Sequence, residues 1–365
     1  MALTQLFSRK YSLVIAVFCF ALLISSCQGD LEDIPYSPTS YEVEGTESLG
    51  PIPIPSDNPI TVQGLTLGQH LFYDPILSSD LTMSCASCHL PEKGFTDGLK
   101  TSVGIQGISG TRSSMSLVNA AYYTKGLFWD GRSENLEAQA LLPVEDEIEL
   151  HDNWSNVEVK LQDHEAYPKM FREAFGIASS DEITRNLAVK ALAQFERAII
   201  SGNSKYDRWK RGQAAFTDEE LLGFDTFFDT SPLVKDGECG HCHNPPLFTT
   251  NEYFDNGIQD APTINDYMDI GLAQVSGEDR DYGKMRAPTL RNIALTAPYM
   301  HDGRFATLEE VVDHYDSGGF VTPNRNELVF ELQLTDEQKV ALVAFMHTLT
   351  DTSYLDNPLL VNPFE

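Results

Sequence analysis

Apolar residues at Ile183, Leu187, Ala191, Phe195 and Ile199 recur at every fourth position, with Ala188 and Leu192 beside them. That spacing places them on one stripe of an amphipathic helix, and Ser201-Gly202-Asn203 supplies its terminator. Capping boxes start three more helices: Thr217 with Glu220, Thr307 with Glu310, and Thr335 with Gln338. After the second box, Leu308, Val311, Val312 and Tyr315 follow the i, i+3, i+4, i+7 pattern of one helical face. Val340, Val343, Phe345 and Met346 follow the third. Few segments alternate with period two, so the pattern predicts a mainly α chain with long loops. Near the start, Arg9 and Lys10 precede an apolar run from Tyr11 to Ile24. A spanning helix needs about 20 such residues, so this shorter run reads as a secretory signal, 1–26.

Composition narrows the partners. The 365 residues carry 54 Asp plus Glu against 25 Lys plus Arg, a formal net charge of −29. Nucleic acid and anionic membrane surfaces both require basic patches, so neither is expected as a partner. The length allows two domains, with a boundary near Ser201–Trp209. The stretch Leu23-Ile24-Ser25-Ser26-Cys27 resembles the bacterial lipobox. That resemblance implies a lipidated Cys27, attachment to the membrane by the lipid alone, and a place in the cell envelope on its periplasmic side or surface. Residues 27–58, rich in acid, Pro, Ser and Gly, read as a flexible tether.

The cysteines bring in the chemistry. Of six, Cys19 lies in the signal and Cys27 is the lipid site. The other four fall in two copies of one pattern, Cys85-Ala86-Ser87-Cys88-His89 and Cys239-Gly240-His241-Cys242-His243. Two thiols for thioether bonds to a porphyrin and an adjacent imidazole for its iron make the c-type haem attachment signature. A structural zinc site does not require His directly after each pair, and a redox disulfide is usually single. The Cys and His content would yield about 0.002 chance matches. Each copy is followed by a proline and then Phe-Thr (Pro91, Phe95-Thr96; Pro245, Phe248-Thr249), a weak internal repeat. The expectation is two tandem cytochrome c-like domains, 59–205 and 206–365, each with one covalent haem c.

From Leu67 to about Thr350 the chain resembles the bacterial dihaem cytochrome c peroxidases and MauG proteins. The resemblance rests on Leu71-Phe72-Tyr73-Asp74-Pro75, Gly94-Phe95-Thr96-Asp97, Phe128-Trp129-Asp130-Gly131-Arg132, Ile200-Ser201-Gly202-Asn203, Ala287-Pro288-Thr289-Leu290-Arg291-Asn292 and Ala297-Pro298-Tyr299-Met300-His301-Asp302-Gly303. It implies that His89 is the proximal ligand of a peroxidatic haem and His243 that of an electron-transfer haem. It places Trp129 between the haems and Gln139 and Glu149 over the peroxidatic iron. Where many members have a distal His that shuts the resting site, this chain has Ile105, which cannot bind iron. Tyr315 falls where peroxidases supply a Met as sixth ligand to the second iron, with Met300 as the fallback and Met285 after it. His314 points about 100° away on the same helix. A calcium is also implied, at Thr296, Pro298 and Ser113, the last where Asn is typical.

These expectations converge on an enzyme reducing hydrogen peroxide with electrons from a small donor protein such as a cytochrome c, with a second copy of the chain, as a homodimer, the further candidate partner. Two alternatives stay open: MauG-like oxidation of a protein or organic substrate, favoured by Ile105 and Tyr315, and a non-enzymatic dihaem electron carrier.

Overall fold

A computed structural model describes residues 31–235 and 237–365. The signal segment and Cys27 lie outside the described residues. The helices are α1 (Val62–Tyr73), α2 (Leu136–Glu145), α3 (Trp154–Asp163), α4 (Tyr167–Phe175), α5 (Arg185–Arg197), α6 (Lys205–Lys210), α7 (Asp218–Phe228), the single turn α8 (Ala273–Ser276), α9 (Leu308–Ser317) and α10 (Asp336–His347). Sheet among the described residues is one antiparallel ribbon, β1 (Tyr253–Phe254) with β2 (Met285–Arg286). The fold is mainly α, and the helices begin where side chains can satisfy free N–H groups. Thr217, Thr307 and Thr335 each form both bonds of a capping box. No helix among the described residues is long and apolar enough to cross a membrane.

Two helix crossings build the cores. In α1, Gly68 lies against α5 so closely that an added Cβ would stand 2.0 Å from the Ala191 carbonyl oxygen. In α7, Gly223 meets α10 the same way, 1.9 Å from the Ala341 oxygen. Phe195 and Phe345 pack beside these contacts, each fully buried. The weak sequence repeat is thus a repeat of architecture: an entry helix, an attachment turn and a closing helix crossing the first. One apolar core gathers around α1 and α5, the other around α7 and α10.

Two boundaries differ from expectation. The segment read as a free tether is packed from residue 31 onward: Thr39 O accepts from Val62 N (2.8 Å), Tyr122 Oη donates to Gly50 O (2.7 Å), and Leu49 clusters with Ala121, Tyr122 and Ile200. Its scattered apolar residues, Val43, Leu49 and Ile52, find partners that a count of acids and prolines does not reveal. The chain end also crosses back. Tyr354 and Leu360 join the first core, and Gln69 Nε2 donates to Pro358 O and Val361 O at 2.8 and 2.7 Å. The second unit therefore closes near residue 350, and the tail belongs to the first.

Candidate active site: two cavities with a shared wall

Each Cys-x-x-Cys-His forms one tight turn, in which the histidine N–H returns to the first cysteine carbonyl at 3.0 Å in both copies. Cys85, Cys88 and Cys242 form no disulfide, and the Cys239 thiol donates to Gly237 O (3.2 Å). His89 Nδ1 donates to Phe95 O (2.8 Å) and His243 Nδ1 to Phe248 O (3.1 Å). Those bonds fix each ring and leave Nε2 as the ligand atom. Burial holds both imidazoles below their ordinary pKa, favouring the neutral form that binds metal. The donor set, two thiols and one oriented imidazole facing a cavity, fits a c-type haem at each turn.

The first cavity encloses about 1180 Å³ and is lined by Cys85, Cys88, His89, Gln139 and Glu149. Gln139 comes from α2. Glu149 stands on the tight loop after it, where the Asp146 carboxylate accepts from Ile148 N (3.0 Å). The loop 102–110 braces this turn, since Ile105 N donates to Glu149 O (3.1 Å). Only glycine fits before it, because a Cβ on Gly104 would lie 2.0 Å from Ile148 O. Gly104 lines the cavity while the Ile105 side chain is half-buried beside it and offers no donor atom. Burial pushes the Glu149 carboxyl up to about 7, reinforced by Asp146 and opposed by Arg132.

The second cavity is narrower, about 210 Å³, and brings Cys239, Cys242 and His243 together with Tyr315 and Met300. Asn256 Nδ2 reaches both candidate sixth ligands, 3.2 Å from the Tyr315 oxygen and 3.5 Å from the Met300 sulfur. Burial pushes the Tyr315 phenol up to about 12. Met285 lines the same cavity. His314 turns away, its Nε2 donating to Asn256 O (3.0 Å).

Trp129, Ser113, His301 and Arg286 line both cavities. Trp129 Nε1 donates to Ser113 O (3.1 Å), and the His301 ring stands edge-on 6.5 Å away. Behind them Arg112 bonds Asp130 (2.5 Å) and takes Asp269 in a two-point pair (both 2.7 Å), tying the two units together. The residues expected to hold calcium, Ser113, Thr296 and Pro298, also meet at this wall. They contribute only neutral oxygens, and both hydroxyls already donate to carbonyls, Ser113 to Met300 and Thr296 to Ile293. Calcium is held by several oxygens, carboxylates and carbonyls together, and this set supplies carbonyls and hydroxyls but no carboxylate.

A family model described as di-haem cytochrome c peroxidase matches residues 62–215. The cytochrome-c peroxidase IdrP1 of Pseudomonas sp. (strain SCT) is 34% identical, over 98% of this chain and 96% of its own length. The chain belongs to the di-haem cytochrome c peroxidase family. The methylamine utilization protein MauG of Methylorubrum extorquens is also 34% identical, covering 82% of this chain and 81% of its own. A solved MauG-like protein associated with microbial copper homeostasis superposes with a TM-score of 0.81 at 31% identity, over 89% of this chain and 100% of that one. As a di-haem peroxidase, this chain is a haem-dependent oxidoreductase of two cytochrome c-like domains with two haem c groups.

Sequence reasoning missed Glu196, Arg286, Asn256 and the spatial role of His301. Glu196 sits beside Arg197 and Arg286 two residues after Lys284, so each reads in sequence as part of a solvated charged stretch. Asn256 carries no mark either.

Proposed function

We propose that this di-haem peroxidase reduces hydrogen peroxide to two waters, using two protons and two electrons from a small donor protein such as a cytochrome c. A haem held at His89 supplies, when bound, the iron at which peroxide is reduced. Glu149 carries the reading: a carboxyl on the wall of the roomier cavity, poised near pH 7. Such a group takes a proton from one peroxide oxygen and returns it to the departing one. The Gln139 amide on the same wall holds the peroxide by hydrogen bonding, and Trp129 gives the wall between the cavities an aromatic ring. Tyr315 caps the second site. The signal and the lipid on Cys27 deliver the chain to the cell envelope.

Glu149→Gln keeps the size and removes the proton shuttle. Turnover of peroxide with reduced cytochrome c is expected to fall by roughly 10²–10⁴, with both haems attached. Wild-type turnover should rise with pH through about 7, because the carboxylate is the form that accepts the first proton. Unchanged kinetics in the variant reject the assignment. Tyr315, a hard donor beside Met300, favours a second reading, MauG-like oxidation of a protein or organic substrate. Absence of steady turnover with reduced cytochrome c supports that reading.

A further inference from the structure

Among the described residues, the wall shared by the cavities holds a buried cation, Arg286, that no carboxylate bonds directly. Arg286, in β2, is 1% exposed. Its backbone N–H donates to Trp129 O (2.9 Å), and its guanidinium carbon lies 3.7 Å from the centre of the Tyr123 ring. Nη1 donates to Gly126 O (3.1 Å) and Nη2 contacts the weak acceptor Met115 Sδ (3.4 Å), while Nε has no acceptor. Asp130 is near enough to act on its charge, but the Asp130 carboxylate is already engaged by Arg112 and Arg132 at 2.5 and 3.1 Å. The remaining groups that act on it, Tyr123 and Tyr253, are phenols and not carboxylates.

Other arginines show what a structural role looks like in this fold. Arg291 pairs with Asp207 at two points (2.8 and 2.9 Å) and gives its Nε to Pro246 O. Arg172 donates to three backbone carbonyls. A buried guanidinium without a bonded counter-charge is strongly destabilising, and arginine does not escape by losing its proton. The missing anion must therefore come from outside the chain. A haem carries two propionate carboxylates on one edge, and the planar Nε–Nη edge of a guanidinium matches a carboxylate at two points.

We propose that Arg286 is a carboxylate-binding site at the junction of the two cavities, that it takes a haem propionate, and that its charge raises the reduction potential of the haem it holds. A cation beside the propionate opposes the extra positive charge of the oxidised iron, which sets the sign. The inference rests on the two haems of the family and not on which reaction they perform, so its failure leaves the peroxide reading standing.

The test uses the full haem-loaded chain. Arg286→Met keeps the bulk and removes the charge; Arg286→Lys keeps the charge and removes the fork. Spectroelectrochemical titration of Arg286→Met should show one of the two midpoint potentials lowered, and Arg286→Lys should recover most of the shift. Two unchanged midpoint potentials in a Met variant that carries both haems overturn the proposal. Should Arg286→Met fail to take up haem, the propionate bending band in the resonance Raman spectrum of Arg286→Lys decides. A displaced band supports a bonded propionate, and a band at the wild-type frequency overturns it.

Discussion

Glu196 stands where the architectural repeat puts Met346, directly after the phenylalanine that packs on the crossing glycine. Both side chains line their cavities and are almost fully buried, at 5% and 6% exposure. One is a thioether that needs nothing. The other is a carboxyl whose Oε2 has no hydrogen-bond partner, and burial pushes it up to about 8 despite Arg197. Arg197 is turned to Glu137 instead, at 2.7 Å through both nitrogens. A carboxyl bound more tightly to its proton in the fold than in the unfolded chain costs nothing below its ordinary pKa of 4.5. The cost grows as pH rises and is complete above about 8. Glu196→Gln should therefore melt with the wild type near pH 4.5 and above it near pH 9. A gain of 1 kcal/mol would appear as roughly 2–4 °C or somewhat less in a protein of this size. Scanning calorimetry of the haem-loaded protein checks this, and a pH-independent difference would mean the carboxyl is not held neutral. The residue also marks the limit of sequence reading. Cys85, Cys88 and His89 were legible because thioether chemistry demands a local spacing. Glu149 was legible only through family register, since it ends a run of acids. Glu196-Arg197 looks like a solvated pair until the helix is seen buried on nearly every side.

At the scale of elements, the helices were readable because period and capping act over a few residues. Thr217, Thr307 and Thr335 needed no tertiary information to start α7, α9 and α10. The crossings were not readable, because a glycine inside a helix registers in sequence as a loss of about 1 kcal/mol in propensity. In the fold, Gly68 and Gly223 are what let α1 meet α5 and α7 meet α10 at backbone distance. Gly68→Ala gains helix propensity and still should destabilise. Its Cβ would fall 2.0 Å from a carbonyl oxygen of α5 that cannot rotate aside, and overpacking of this kind typically costs about 1–3 kcal/mol. Urea unfolding of the haem-loaded variant should give a lower midpoint with an unchanged slope. A raised midpoint would show propensity winning and the helices free to separate.

Across the whole molecule, the two domains share material that the sequence assigned to one of them. The tail after Asp351 leaves the second unit and enters the core of the first. Tyr354, 4% exposed, lies with its ring 5.7 Å from that of Phe95, whose carbonyl orients His89. Its hydroxyl donates to Pro91 O (3.1 Å), and Tyr73 Oη donates to Leu360 O (2.8 Å). The support behind the first attachment turn thus comes from the far end of the chain, a long-range dependence that local patterning cannot carry. A chain ending at Asp351 should keep the second core intact, since its buried residues run only from Tyr206 to Leu349. The first core would lose two large buried side chains, each about 1.5–3 kcal/mol of apolar burial. Thermal unfolding followed in the visible haem bands should split, with the signal of the haem at His89 lost at a lower temperature than that of its partner. Tyr354→Ala should do the same to a smaller degree while leaving the chain at full length. If both variants melt in one transition at the wild-type temperature, the tail is a passenger and each domain supports its own attachment turn unaided.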